Sequence, residues 1–500
     1  MSDVDQEALP KLNKLRPGSM LRLPWNFFGM MRSFLLLLAT VSVGVLLVLY
    51  TGNMRTLSRS PLYHKNTPHH TQATETNAEF PTQTDDTDMF TNDVPLLFAR
   101  SIKFTVKVGN ISQVIVYRKR EKEQMPKLAS HLKRNFATVP QKFEVEYKNP
   151  CWFVPYPLAD NPYKKNYYNK YSLMFQMNFK KLNNSFYNHI LQKGGGMLRL
   201  RCVPYFYIVG QPKCGTTDIY RRLMMHPDVR FGIMKEPHWW TRKRFGITKQ
   251  FSSSHSKHNV SFKDYLDIFD LATHEVQGSD NSNLIIGEAS ASTLWDNDAA
   301  TLLFQNTSKR EPAFLISDVM HAVQPDARLI VMLRNPNERL FSDYLYFGHN
   351  NKSVEDFHKK TEESINMFLN CTSDYSLRVC IYDYKLSIDM SVRLRIGLYV
   401  VFLLDWLSTF PQEQMIVLCL EDFSKNPVVF IRKITNFLQL GPVDEMTLYA
   451  MISARPANSR KPHAKTLGDM LPETKKMLNE FYTPFNQKLA QLFNDDSFNW

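Results

Sequence analysis

Acidic residues are in the minority in this sequence: 48 Asp and Glu stand against 61 Lys and Arg, a formal net charge of +13. Such a balance points to an acidic partner, whether nucleic acid, anionic membrane or polyanionic glycan, and does not choose among them. Cysteine is scarce too, six in 500 residues, which excludes a small scaffold held mainly by disulfides. The 43% hydrophobic content is enough for one large domain with appendages. Cys371 and Cys380 are near enough in sequence to close a small loop. Cys151 and Cys202 flank a segment, and their pairing stays open; Cys214 and Cys419 are expected to be free.

Charge is absent from Ser33 to Tyr50, SFLLLLATVSVGVLLVLY, a run long enough to span a bilayer with slight help from its flanks. It also lacks a small-residue cleavage site after it, which reads as an uncleaved anchor, not a removed signal peptide. Lys11, Lys14, Arg16, Arg22 and Arg32 on one side outnumber Arg55 and Arg59 just beyond. The positive-inside rule therefore makes 1–32 a cytosolic tail and 33–50 the anchor of a single-pass, type II protein with a lumenal bulk. Few apolar residues occur from Thr51 to about Asp93, too few to offset ordering entropy, so 51–100 reads as a stem. Its His64, His69 and His70 are solvated in that reading and hold no metal. Sequons at Asn110, Asn183, Asn259, Asn306, Asn351 and Asn370 fit lumenal placement.

Residues 101–197 form an extension with alternating strand-like runs, FTVKV and QVIVY, and a polar, aromatic-rich helical stretch, without visible chemistry. From 198 to 500 strands and helices alternate. The strand-like runs are Tyr205–Val209, Leu284–Ile286, Leu329–Leu333 and Ile416–Leu420, with helical patterns between them, notably Ser391–Thr409 and Val428–Leu438. This alternation predicts an α/β domain with a mainly parallel sheet and a ligand at the carboxyl ends of its strands.

The first strand runs into a tight turn and a helix: YFYIVGQPKCGTTDIYRRLMMH, Tyr205 to His226. Backbone N–H groups and the positive end of a helix meet there, an anion site. Gly210 and Gly215 have the spacing of a nucleoside-triphosphatase loop, but the lysine that should follow the second glycine is missing. Thr216 stands in its place, and the lysine has moved back to Lys213. A second absence matches it. At the end of the strand in ARLIVMLRNPNERLFSDYLYF, where a triphosphatase carries a magnesium-holding acid, there is Arg334, with Ser342 about two turns into the helix that starts near Pro336. The site thus reads as metal-free and built for a further anionic group.

In GIMKEPHWWTRKRF, Glu236 lies in a loop after the short run Val229–Phe231. A carboxylate beside an anion site without a metal suits a general base, with His238 as competitor. Trp239 and Trp240 could stack on a sugar or base, or pack in the core; Arg242, Lys243 and Arg244 offer either a basic rim for an acidic acceptor or a solvated charge run. The loop SARPANSRKPHAK, Ser453 to Lys465, could fold over a nucleotide as a basic lid or be plain surface.

The combination QPKCGTT, KEPHWW, RNPNERLFSDY and a basic loop before LPETKKMLNEFYTPFNQKLAQLF resembles the Golgi glycosaminoglycan sulfotransferases, over roughly Cys151 to Trp500. The resemblance implies a P-loop-like α/β sulfotransferase domain with a central, mainly parallel sheet. It also implies the donor 3′-phosphoadenosine 5′-phosphosulfate (PAPS), a Golgi membrane location and a sulfated glycosaminoglycan acceptor, at C6 of N-acetylgalactosamine 4-sulfate in chondroitin or dermatan sulfate. Carried over by position, Lys213, Cys214, Gly215, Thr216 and Thr217 hold the 5′-phosphosulfate. Arg334 and Ser342 hold the 3′-phosphate, and Ser459, Arg460 and Lys461 cover the nucleotide. Lys213, Glu236 and His238 are the catalytic candidates, and Trp239, Trp240 and Arg242 the acceptor contacts. One departure is that Ser459-Arg460-Lys461 lacks the lysine-glycine-arginine order of the heparan enzymes. Expected partners are the glycan and the membrane, with a homodimer allowed and no nucleic acid. Competing readings are a heparan sulfate sulfotransferase, a kinase, against which Thr216 and Arg334 speak, and a non-catalytic membrane-anchored glycan-binding protein.

Overall fold

Ten strands form among the residues that the structure, a computed structural model, describes: 101–118 apart from 110, 137–156, 161–170, 173–193, 195–246, 259–304, 311–348 apart from 313, 352–457 and 466–500. The tail, anchor and stem, the sequons Asn110, Asn306 and Asn351, and Ser459, Arg460 and Lys461 lie outside the described residues. All described residues belong to one compact unit, Thr91–Trp500. Within them no helix is long and apolar enough to cross a membrane.

β1 (Ser101–Val108) and β2 (Ile111–Arg118) make an antiparallel hairpin, as FTVKV and QVIVY predict. It rests on the helix Val354–Asp374, where Gln113 donates to the Thr372 carbonyl at 2.7 Å. β3 (Cys151–Pro155), β4 (Ile190–Lys193) and β5 (Gly196–Cys202) form a small antiparallel sheet in the order β3-β5-β4. Cys151 and Cys202 face each other in its register and are disulfide-bonded, which resolves the pairing left open by sequence. Cys371 and Cys380 are bonded as expected; Cys214 and Cys419 are free and buried. β5 runs across residue 197, so the extension and the domain after it share a strand.

The central sheet holds β6 (Phe206–Gly210), β7 (Val229–Phe231), β8 (Ile285–Ala289), β9 (Arg328–Leu333) and β10 (Met415–Cys419) in the order β10-β9-β6-β8-β7, parallel throughout. These strands read as unbroken apolar runs because both faces are covered. Tyr207, Val209, Leu329 and Val331 enter one core cluster, and Phe206, Ile208, Ile330 and Met332 the other. Gly287 lies where a Cβ would come within 2.3 Å of Phe206, so only glycine admits the aromatic packing of that face.

One predicted helix is shorter than expected. Ser391–Thr409 forms a helix only over Tyr399–Leu407, after a 3-10 turn at Leu394–Gly397. The Arg395 side chain is buried in that turn, donating to the Ile381 carbonyl at 2.6 Å and pairing with Asp298, and Leu398 leaves the helical region at ψ 55°. The other predicted helix forms over Pro427–Phe437. Of the described sequons, Asn259 and Asn370 are exposed, while Asn183 is half-buried with its Oδ1 enclosed.

Candidate active site

β6 ends at Gly210, and the turn after it returns through Gly215 to the helix Thr216–Leu223. Lys213 and Gly215 both have positive φ, 68° and 84°. At Gly215 a Cβ would also sit 2.7 Å from Leu420, so glycine is required on two counts. No side chain caps the helix, leaving its first N–H groups to an external acceptor. Ion pairing between Asp218 and Arg222 at 2.9 Å continues into the chain before the basic loop. Arg222 donates to the carbonyls of Ile452 and Ala454 at 3.0 and 2.8 Å, and Asp218 accepts from the Ala457 N–H at 3.1 Å. The start of the loop that carries Ser459, Arg460 and Lys461 is thereby stapled to the phosphate-loop helix.

β9 delivers Arg334 to the same end of the sheet. Asn335 caps the following helix, Pro336–Phe347, by accepting from the N–H groups of Asn337 and Glu338, with Pro336 in its first turn as predicted. Arg334 faces Glu338 at 3.3 Å, and its carbonyl accepts from Tyr399 Oη at 2.8 Å. A cleft of about 1070 Å³ opens here. Lys213, Gly215, Thr216, Thr217, Glu236, His238, Arg242, Arg334 and Ser342, drawn from three separate stretches of sequence, all line it.

Glu236 and His238 occupy a sharp loop in which both have positive φ, 61° and 51°. The Glu236 backbone is tied to the sheet through the Ala289 carbonyl at 2.9 Å, and its Oε2 accepts from the Ala291 N–H at 2.9 Å. Lys235 pairs directly with the carboxylate, and His238 Nε2 stands 3.6 Å away. Burial alone would push the Glu236 carboxyl up, but Lys235, His238 and the Ala291 N–H outweigh it and hold it below the ordinary value. His238 is driven down to about 3, first by burial and then by Arg242. It is a neutral imidazole whose Nδ1 is 2.8 Å from Ser292 Oγ.

Lys213 makes no ion pair among the described residues. Its ammonium lies 3.8 Å from the centre of the Tyr346 ring, and burial, with Arg334 and Arg393 nearby, lowers its proton affinity.

Three expectations need correction. Trp239 and Trp240 do not reach the cleft. They are 2% and 1% exposed, with their indole N–H groups bonded to the Val260 carbonyl and Tyr265 Oη, and Trp239 stacks on Tyr265. The Cys214 side chain points into the core beside Tyr399, where burial raises the thiol to about 12, so only its backbone belongs to the turn. Of the basic run, Arg242 alone faces the cleft; Lys243 and Arg244 are buried. Conversely, Lys235, Arg393, Tyr346 and Phe347 line the cleft without having been singled out. Lys235 adjoins Glu236 in the motif and was visible there; Arg393 carries no local signal.

The chain belongs to the sulfotransferase family, a family of enzymes, whose pattern its residues 204–445 match. Carbohydrate sulfotransferase 15 of Homo sapiens is 46% identical over 405 residues, covering 79% of this chain and 72% of that protein. Its Mus musculus counterpart is 47% identical over 393 residues, 75% of this chain and 70% of that one. Heparan sulfate glucosamine 3-O-sulfotransferase 3B1 of Mus musculus is more distant, 25% identical over 315 residues, 60% and 65% of the two chains.

Proposed function

We propose that the chain transfers sulfate from PAPS to a hydroxyl of a sulfated glycosaminoglycan, C6 of N-acetylgalactosamine 4-sulfate in chondroitin or dermatan sulfate. The observation that carries this reading is the convergence of Lys213, Arg334 and Glu236 in one cleft beside an uncapped helix start. The site suits the donor. A loop that a Cβ would obstruct holds one anionic end, and Arg334 with Ser342 holds the other. When bound, PAPS supplies an activated sulfuryl group, leaving the protein mainly positioning and charge stabilisation to perform.

In this scheme Gly215, Thr216 and Thr217 present their N–H groups to the 5′-phosphosulfate, and Lys213 neutralises charge on the leaving nucleotide. Arg334 and Ser342 take the 3′-phosphate, and Ser459, Arg460 and Lys461 cover the nucleotide. Glu236 receives the acceptor proton, and neutral His238 orients the hydroxyl; an anion that draws Lys235 away strengthens Glu236 as a base. The carbohydrate acceptor is supported by the relatives' name, the choice of a sulfated galactosamine by the motif resemblance, and a polyanion by the net charge of +13. The proposal extends to a type II Golgi protein anchored by 33–50, glycosylated and lumenal, able to form a homodimer, independent of metal and of nucleic acid.

The test is transfer of labelled sulfate from PAPS by the purified full chain to a panel of desulfated and monosulfated glycosaminoglycans, with disaccharide analysis of the product. Label at C6 of 4-sulfated galactosamine is expected. Label in heparan sulfate would move the acceptor to the class named in the distant relative, and transfer to no glycan would overturn the proposal.

A further inference from the structure

Part of the cleft has no task in the scheme above. Arg393 lies on its wall, gripping Asp343 through both Nε, at 2.8 Å, and Nη2, with its guanidinium 4.2 Å from the Phe347 ring centre and 5.9 Å from that of Trp295. Asp343 is shared with Arg339 at 3.0 Å, and Arg242, on the same cleft, is held by Asp296. Arg242 is close enough to act electrostatically on both Arg393 and His238. Three guanidinium groups, of Arg242, Arg339 and Arg393, thus share two carboxylates, Asp296 and Asp343, and the wall beside Glu236 and His238 keeps a positive surplus.

Like charges gathered in a partly buried wall are unfavourable without a compensating anion. Here buried carboxylates hold Arg242 and Arg393 in place beforehand, so an arriving anion need not order them. The rim next to Arg393 is apolar and open: Phe347 is 47% exposed and Tyr346 61%. Exposed rings bordered by charge mark a ligand groove, and two guanidiniums on the single carboxylate of Asp343 leave that groove the net positive charge that suits a sulfate.

We infer that Arg393, supported by the Phe347 ring, reads a sulfate ester already present on the acceptor and thereby sets a preference for sulfated over unsulfated glycan. The inference rests on the sulfotransferase reading above and deepens it. The motifs around Lys213, Glu236 and Arg334 serve transfer; Arg393 serves selection. Close opposite charges of this kind are worth about tenfold or more in affinity.

The experiment measures initial rates of the purified full chain at saturating PAPS on 4-sulfated chondroitin and on the same polymer chemically desulfated. Wild type, Arg393→Gln, Arg393→Lys and Phe347→Ala are compared. In Arg393→Gln the ratio of kcat/KM for sulfated over desulfated acceptor is expected to fall by about tenfold, through KM for the sulfated polymer and with KM for PAPS unchanged. Arg393→Lys restores part of the ratio, because it keeps the charge and the Asp343 pair. Phe347→Ala lowers the ratio in the same direction. Its ring is exposed, so this variant decides the question if Arg393→Gln fails to fold after Asp343 loses a partner. Unchanged ratios in the folded variants overturn the inference while leaving the proposed function intact. A wild type that sulfates neither polymer overturns the proposed function itself.

Discussion

At Glu236 opposing forces meet. Burial raises its carboxyl, Lys235 is the largest influence lowering it, and the net position is below the ordinary value of 4.5. As a base it must be ionised, so activity is expected to be flat from neutrality down and lost only as pH falls below about 4.5. Lys235→Met removes the lowering charge and leaves burial in control, so the acid limb of kcat/KM moves to higher pH. A limb that stays in place in this variant would assign the base elsewhere. Lys213→Ala should lower transfer by about 10²–10³-fold, the effect of one preorganised donor, with circular dichroism unchanged because Lys213 has no ion pair to break among the described residues. The turns at these positions were legible because Gly215 beside Lys213 and Lys235 beside Glu236 are neighbours in sequence as well as in space, whereas the Ala289 and Ala291 contacts of Glu236 are not. Residue identity was misleading at Trp239 and Trp240. The partners that bury them, Val260 and Tyr265, lie some 20 residues away, and no local pattern distinguishes an aromatic pair on a cleft from one in a core.

Among elements, the parallel strands were recognisable as uninterrupted apolar runs ended by Gly210 and Arg334, since both the run and its stop are local. The 3-10 turn at Leu394–Gly397 was not, because it exists to place Arg395 against Asp298, 97 residues away. β5 presents a similar case. Arg199 and Arg201 alternate within an otherwise apolar strand and look solvent-facing, yet both are 4% exposed. Two helical carboxylates meet them: Arg201 lies 2.9 Å from both Asp267 and Asp270, and Tyr163 Oη donates to Asp270 at 2.8 Å. Breaking one partner of such a cluster strands a buried charge. Arg201→Met is therefore expected to lower stability by about 3–5 kcal/mol, seen as an earlier urea midpoint. Cysteines 151 and 202 staple β3 to β5 and hold the variant's sheet together. An unchanged midpoint would mean that Arg199 alone neutralises both carboxylates.

For the whole molecule the decisive property is charge. A surplus of +13 spread over the chain exceeds what one cleft needs, and a polymeric acceptor reaches surface that a disaccharide does not. Screening by salt acts on both, with a Debye length of about 10 Å at 0.1 M, but weakens exposed contacts more than those inside the cleft. Each released ionic contact steepens the dependence of binding on salt by nearly one order in log–log terms, so two surface contacts raise the polymer's KM roughly tenfold between 50 and 200 mM NaCl, on the scale of DNA. A 4-sulfated disaccharide acceptor, confined to Arg242, Arg393 and their neighbours, should show a shallower slope, and PAPS a slope set by Lys213, Arg334, Arg460 and Lys461. Measuring the three KM values across that salt range separates steering by the whole surface from recognition in the cleft. Equal slopes for polymer and disaccharide would confine acceptor recognition to the cleft and leave the remaining charge without a part in it.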